Sequence, residues 1–140
     1  MKKIGYVLAA LLVLLFFQKI DFPDSTTDAA GGIDSVATAF VNRQSKVWVE
    51  VSGEVSRVLQ DDNEGSRHQR FILKLANDHT LLVSHNIDLA KRIPLSEGDK
   101  IVLKGRYEWN ERGGVVHWTH HDPQGRHSGG WIRHEGQEYY

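Results

Sequence analysis

A chain of 140 residues has room for one domain of ordinary size, which excludes a multidomain enzyme carrying a separate cofactor module. With 40% hydrophobic and 25% charged residues it can bury a core, and 17 basic against 18 acidic side chains remove the global basic excess usual in nucleic-acid binders. The absence of cysteine rules out disulfide staples, thiolate metal sites, a cysteine nucleophile and a lipid-modified cysteine, whereas eight His and thirteen Gly stand out.

Lys2 and Lys3 precede an uncharged apolar run from Ile4 to Phe17, a basic start and hydrophobic stretch of signal-sequence length. The run is shorter than the roughly 20 residues of an ordinary spanning helix, but Gln18 and Lys19 can snorkel, and Ile20 and Phe22 extend it. Gln18 to Phe22 offer no small residue and the first small pair, Ala29-Ala30, lies late, so residues 1–22 read as an uncleaved signal anchor in preference to a cleaved signal peptide. The two lysines place the N-terminus in the cytoplasm and the remainder outside: inner-membrane anchored and periplasmic, or secreted if the segment is cut. Residues 23–32, polar, small and turn-prone, read as a linker, and residues 33–140 as the folded domain. Asp34 or Ser35 can cap a short helix to about Gln44, with Val36, Ala37, Phe40 and Val41 as its apolar stripe.

From Lys46 the hydrophobic period changes to two. Strands are expected over 46–59, bent at Gly53, then 68–76, 79–85, 100–109 and 115–121, with a short helix over 87–92 capped by Asn86 and stopped before Pro94. Alternation assigns Val49, Val51, Phe71, Leu73, Leu75, Leu81, Val83, Ile101 and Leu103 to the interior. A mainly β chain of five strands, with one short helix between the third and fourth, has the element order of an OB-fold barrel.

The stretches Arg67-His68-Gln69-Arg70-Phe71, Ser84-His85-Asn86-Ile87-Asp88, Tyr107-Glu108-Trp109-Asn110 and His117 to Pro123, with Gly125-Arg126-His127 and Gly130-Trp131-Ile132, resemble a family of small exported bacterial proteins, domain-of-unknown-function family 3465. The resemblance covers roughly two thirds of the chain. It implies an exported setting and an OB-like barrel, and it carries no catalytic assignment.

His117, His120, His121, Asp122, His127 and His134 fall within eighteen positions. On a continuous strand His117, Thr119 and His121 would share a face, with Trp118 and His120 on the other. His117, His121, Asp122 and His127 are therefore the candidate ligands for a divalent transition metal, the one cofactor entertained. Two other readings stay open: hydrogen bonds that hold the C-terminal tail to the barrel mouth, and acid-base catalysis. Arg126 lies in a glycine-rich loop able to offer backbone N–H groups to an anion, but no phosphate-binding glycine motif is present, so a nucleotide cofactor is not indicated. Arg67, His68 and Arg70, with Trp109, Trp118 and His120, would form a basic and aromatic platform of the kind OB barrels use for glycans, peptides or single-stranded nucleic acid. Acidic Asp61, Asp62, Glu64 and Glu111 count against phosphate.

The preferred function is a membrane-tethered, extracytoplasmic binding module with a His-rich site at the barrel mouth. A metal-dependent hydrolase of phosphodiesterase or nuclease type and a structural interaction protein without small ligand are the alternatives. The nineteen residues after His121 include Trp131, Ile132, Tyr139 and Tyr140, too apolar for a solvated tail. They should fold back through Trp131 and Ile132, bringing His127 and His134 toward His117, His121 and Asp122.

Overall fold

Period-two alternation of β-branched residues produces the strands, and their pairing closes them into a barrel. The structure, a computed structural model, describes residues 27–126 and 129–140; the expected anchor at 1–22 and His127 lie outside the described residues. Helix α1 (Thr27–Val41) leads to β1 (Val47–Val58), β2 (His68–Lys74), β3 (Thr80–Asn86), β4 (Lys100–Glu108), β5 (Val115–His117), β6 (Trp131–His134) and β7 (Gln137–Tyr139). Among the described residues no helix is long and apolar enough to cross a membrane.

The first half of β1 pairs antiparallel with β4, from Val47 opposite Tyr107 to Glu54 opposite Lys100. Its second half pairs with β2, from Glu54 opposite Lys74 to Val58 opposite Phe71, across a register shift between Val55 and Arg57. Gly53 sits at the crossover, where a Cβ would lie 2.6 Å from the Lys74 carbonyl oxygen, so only glycine admits that close approach. β2 and β3 form a hairpin, β3 runs parallel to β5, and β5 pairs antiparallel with β4. The cycle β1-β2-β3-β5-β4-β1, parallel only at β3–β5, is a closed five-stranded OB-type barrel. All nine residues assigned to the interior are 3% exposed or less, joined by Val55, Tyr107, Val116 and Ile132.

The strand bounds shift by one or two residues, and the larger differences lie in the helix, in the connection after β3 and at the end of β5. The helix begins at Thr27, not at Asp34 or Ser35, so part of the expected linker is helical and Gly31 and Gly32 lie within the helix. Gly32 packs so closely on β1 that a Cβ would overlap the Glu50 carbonyl oxygen; it is a contact point, not a hinge. The buried stripe is Val36 and Ala39, while Val41 is exposed. The helix stops where Arg43 enters the left-handed region (φ 52°), with Gln44 N–H bonded to Ala39 O and Arg43 N–H to Phe40 O, a Schellman closure.

Between β3 and β4 the expected helix is a single turn. The Asn86 side chain accepts from the N–H groups of Asp88 and Leu89, and Ala90 N–H bonds to Asn86 O. The fifth strand ends at His117, four residues early, because Trp118 turns the chain at φ 60°. The tail does fold back, as the β6–β7 hairpin. β6 pairs with Ile101–Lys104 of β4, and β5 pairs with Arg106–Glu108, so the two short strands divide one edge between them. Ile132 (0% exposed) and Tyr139 are the anchors; Trp131 is only half-buried, with Arg133 stacked on its ring at 3.9 Å.

Candidate functional site

Outward parity on β4 and β5 sets Arg106, Glu108 and His117 side by side, with Arg106 directly across from His117. The turn at Trp118 folds the following residues back over this corner of the barrel. Ser66, His68, Asn86, Leu89, Pro123 and His120 complete a cleft of about 500 Å³ with Arg106, Glu108, His117 and Trp118. That volume lies within the range of small-ligand pockets.

Each polar wall of the cleft is fixed from behind. The Arg106 guanidinium lies 5.0 Å from the Trp118 ring centre, and its Nε, buried without a hydrogen bond, faces Glu108 Oε1 at 3.4 Å. Trp118 also stacks on His120, with ring centres 5.9 Å apart and planes at 20°. His120 Nδ1–H donates to the His121 carbonyl (2.6 Å) and His68 Nδ1–H to the Ser66 carbonyl (2.8 Å). A carbonyl can only accept, so in each neutral ring Nε2 is left as the acceptor. Burial pushes the His117 imidazole below its ordinary value, with Glu108 pulling the other way.

Behind the cleft, His85 is fully buried on the inward parity of β3. Its Nε2–H donates to the Lys91 carbonyl (3.0 Å), so Nδ1 accepts from the Thr119 hydroxyl (2.7 Å). Burial lowers its pKa to about 4. Buried Gln69 makes a matching reciprocal pair with Ile93, donating to its carbonyl and accepting from its N–H. The two clamps hold the 87–93 connection and the 118–121 turn as the floor of the cleft.

The expected site residues divide. His68, His117, Trp118 and His120 converge on the cleft. His121 is exposed and stacks on Tyr140, with ring centres 4.2 Å apart. Asp122 turns its own loop, accepting from the N–H groups of Gln124 and Arg126, and Arg126 is exposed there. His117, His121 and Asp122 therefore do not gather within reach of one ion among the described residues.

Arg67 pairs with Asp88 at 2.8 Å, and Arg70 Nε donates to the Gln60 carbonyl. Trp109 leaves the platform altogether, its indole N–H donating to Phe40 O at the end of α1. His134 lies at the other end of β4, opposite Ile101, about 17 Å along the strand from the residue opposite His117. Arg106, Glu108 and His85 were not among the candidate metal or ligand-binding residues. His85 carried a signal all the same, as a polar residue at the inward parity of Leu81 and Val83.

A family model described as a protein of unknown function, DUF3465, matches residues 17–140. The chain belongs to this family. No curated protein gives a significant match. The matched span includes the whole barrel, the cleft residues and the C-terminal hairpin, so the cleft is part of the DUF3465 domain and not an appendage to it.

Proposed function

We propose that the chain is an extracytoplasmic binding module, tethered to the membrane through residues 1–22, that holds a neutral polar ligand, a glycan end, in the cleft at the barrel mouth. One observation carries this reading: His68, Arg106, Glu108, His117, Trp118 and His120 line a single cleft of about 500 Å³. The charges of Arg106 and Glu108 offset each other, and burial disfavours the charged form of His117. The cleft thus offers hydrogen-bond donors and acceptors beside a fixed aromatic wall without a net cationic field, which suits hydroxyl-rich ligands and not a polyanion. Lys2, Lys3 and the apolar run support the tether.

The test is titration of soluble chito-, cello- and malto-oligosaccharides, with a short peptide and a single-stranded thymidine oligomer as comparators, followed by tryptophan fluorescence and calorimetry. One oligosaccharide class should saturate with unit stoichiometry, and Arg106→Ala and His117→Ala should each weaken it at least about tenfold, the loss of one buried polar contact. Absence of saturable sugar binding, or binding untouched by both variants, refutes the reading. Recovery of the protein in the cytosolic fraction refutes the tether.

A further inference from the structure

At the end of the barrel away from the cleft, three groups able to bind a metal meet where the turn before β4 touches the β6–β7 hairpin. His134 Nε2 lies 2.8 Å from Asp99 Oδ2 and 3.9 Å from Glu135 Oε1, and one ligand atom from each residue falls within 4.8 Å of the others. We propose that Asp99, His134 and Glu135 form a binding site for a divalent transition-metal ion, Zn²⁺ in the first instance. The proposal is independent of the cleft and of what the cleft binds.

Geometry supports it first. Ligands about 2.0–2.1 Å from a tetrahedral ion are separated from one another by about 3.3 Å. The observed 2.8 and 3.9 Å bracket that value, so shifts of about half an ångström bring these pairs onto one ion. Two of the three ligands are already positioned. The His134 side chain is only 2% exposed, and Asp99 Oδ2 also accepts from the Ser96 N–H at 2.9 Å. Glu135 supplies the adaptable arm, 79% exposed at its side chain, from the tip of a two-residue turn in which Glu135 and Gly136 have φ of 49° and 77°.

The donor set of one imidazole and two carboxylates is the open three-ligand kind, which leaves a coordination position for water. His134 and Glu135 also line a cavity of about 870 Å³ that gives such a water room and an entry path. Binding is balanced: the neutral ring takes the tautomer that carries its proton on Nδ1, so Nε2 gives its lone pair to the ion in place of the hydrogen bond to Asp99 Oδ2, with no net loss of a proton from the ring. The bound ion would then tie the 96–99 turn to the hairpin that covers the Ile101–Lys104 edge of β4.

The test uses the full chain, equilibrated with Zn²⁺ or Co²⁺, passed through a desalting column and assayed for metal, with the Co²⁺ visible spectrum reporting coordination number. The expected result is one ion per chain, a tetrahedral or five-coordinate Co²⁺ spectrum and a raised melting temperature. Glu135→Gln, at an exposed position that leaves the fold intact, should weaken Zn²⁺ binding at least about tenfold. Asp99→Asn should do the same, while His121→Ala should leave it unchanged. A chain that retains no stoichiometric ion overturns the proposal and leaves a plain His–Asp hydrogen bond. Retention unaffected by both Glu135→Gln and Asp99→Asn, or abolished by His121→Ala, places the ion elsewhere and overturns it equally.

Discussion

Lowering the pH from about 7.5 to about 4 drives a proton toward His85, which is fully buried and whose two ring nitrogens are already committed. The imidazole pKa falls from 6.5 to about 4 on folding, so the unfolded chain binds this proton more readily than the folded one across that window. The sign follows: the stability contributed is complete above pH 6.5, declines as the pH falls, and is gone below about 4. At 1.36 kcal/mol per pKa unit, the shift corresponds to about 3 kcal/mol, a large share of the stability of a small domain. His85→Gln provides the measurement, since glutamine can donate to Lys91 O and does not titrate. Near pH 7.5 the variant should be less stable by about 1–2 kcal/mol, for imperfect hydrogen bonds. Near pH 4 that deficit should vanish or reverse, because only the wild type has lost the imidazole contribution. Urea unfolding followed by tryptophan fluorescence at several pH values gives the difference directly, and contributions of Asp88, Asp99 and other shared groups cancel in it. A wild-type-to-variant gap that stays constant from pH 7.5 to 4 would refute the buried neutral imidazole.

Ile132→Ala should cost about 2–5 kcal/mol, since it empties a fully buried position where β6 meets β4, whereas Trp131→Ala should cost clearly less because its half-exposed ring packs mainly under Arg133. Thermal melts of the two variants check the order, and equal losses would contradict the placement of the hairpin. The paired glycines of α1 should respond in opposite directions. Gly31→Ala, with open space around its Cβ, should stabilise by about 0.5–1 kcal/mol, while Gly32→Ala should push the helix off Glu50 and lower the melting temperature. Equal effects of the two would mean that the helix does not dock through Gly32.

The barrel was legible because its strands expose one parity: Val49 and Val51, Phe71 to Leu75, Leu81 and Val83, and Ile101 and Leu103 all point inward as their spacing requires. Gly53 was legible as a special position of the first strand, where a side chain would strike β2, but the irregularity in the ladder falls beyond it, between Val55 and Arg57. The start of α1 was hidden because Ala29-Ala30-Gly31-Gly32 has the composition of a tether, and nothing local reveals that Gly32 must touch Glu50. The early end of β5 was hidden for a similar reason: Trp118 in the left-handed region runs against its own preference, and the surrounding packing imposes it. Of the site, His68, His117, Trp118 and His120 could be named from the His-rich segment and the second strand. Arg106 and Glu108 looked like ordinary outward strand residues, and the meeting of Asp99 with His134 spans 35 positions.

The divided edge of β4 has a consequence for the nascent chain. Until Trp131–His134 arrive, Ile101–Lys104 present a strand edge without its partner, and the space filled by Ile132 and Tyr139 stands open. Trp131–His134 follow all five strands of the closed cycle in sequence, so this edge of β4 is covered only after the cycle itself has been made. A chain cut before Trp131 would therefore keep all five strands of the cycle but leave Ile101–Lys104 as a ready template for sheet addition.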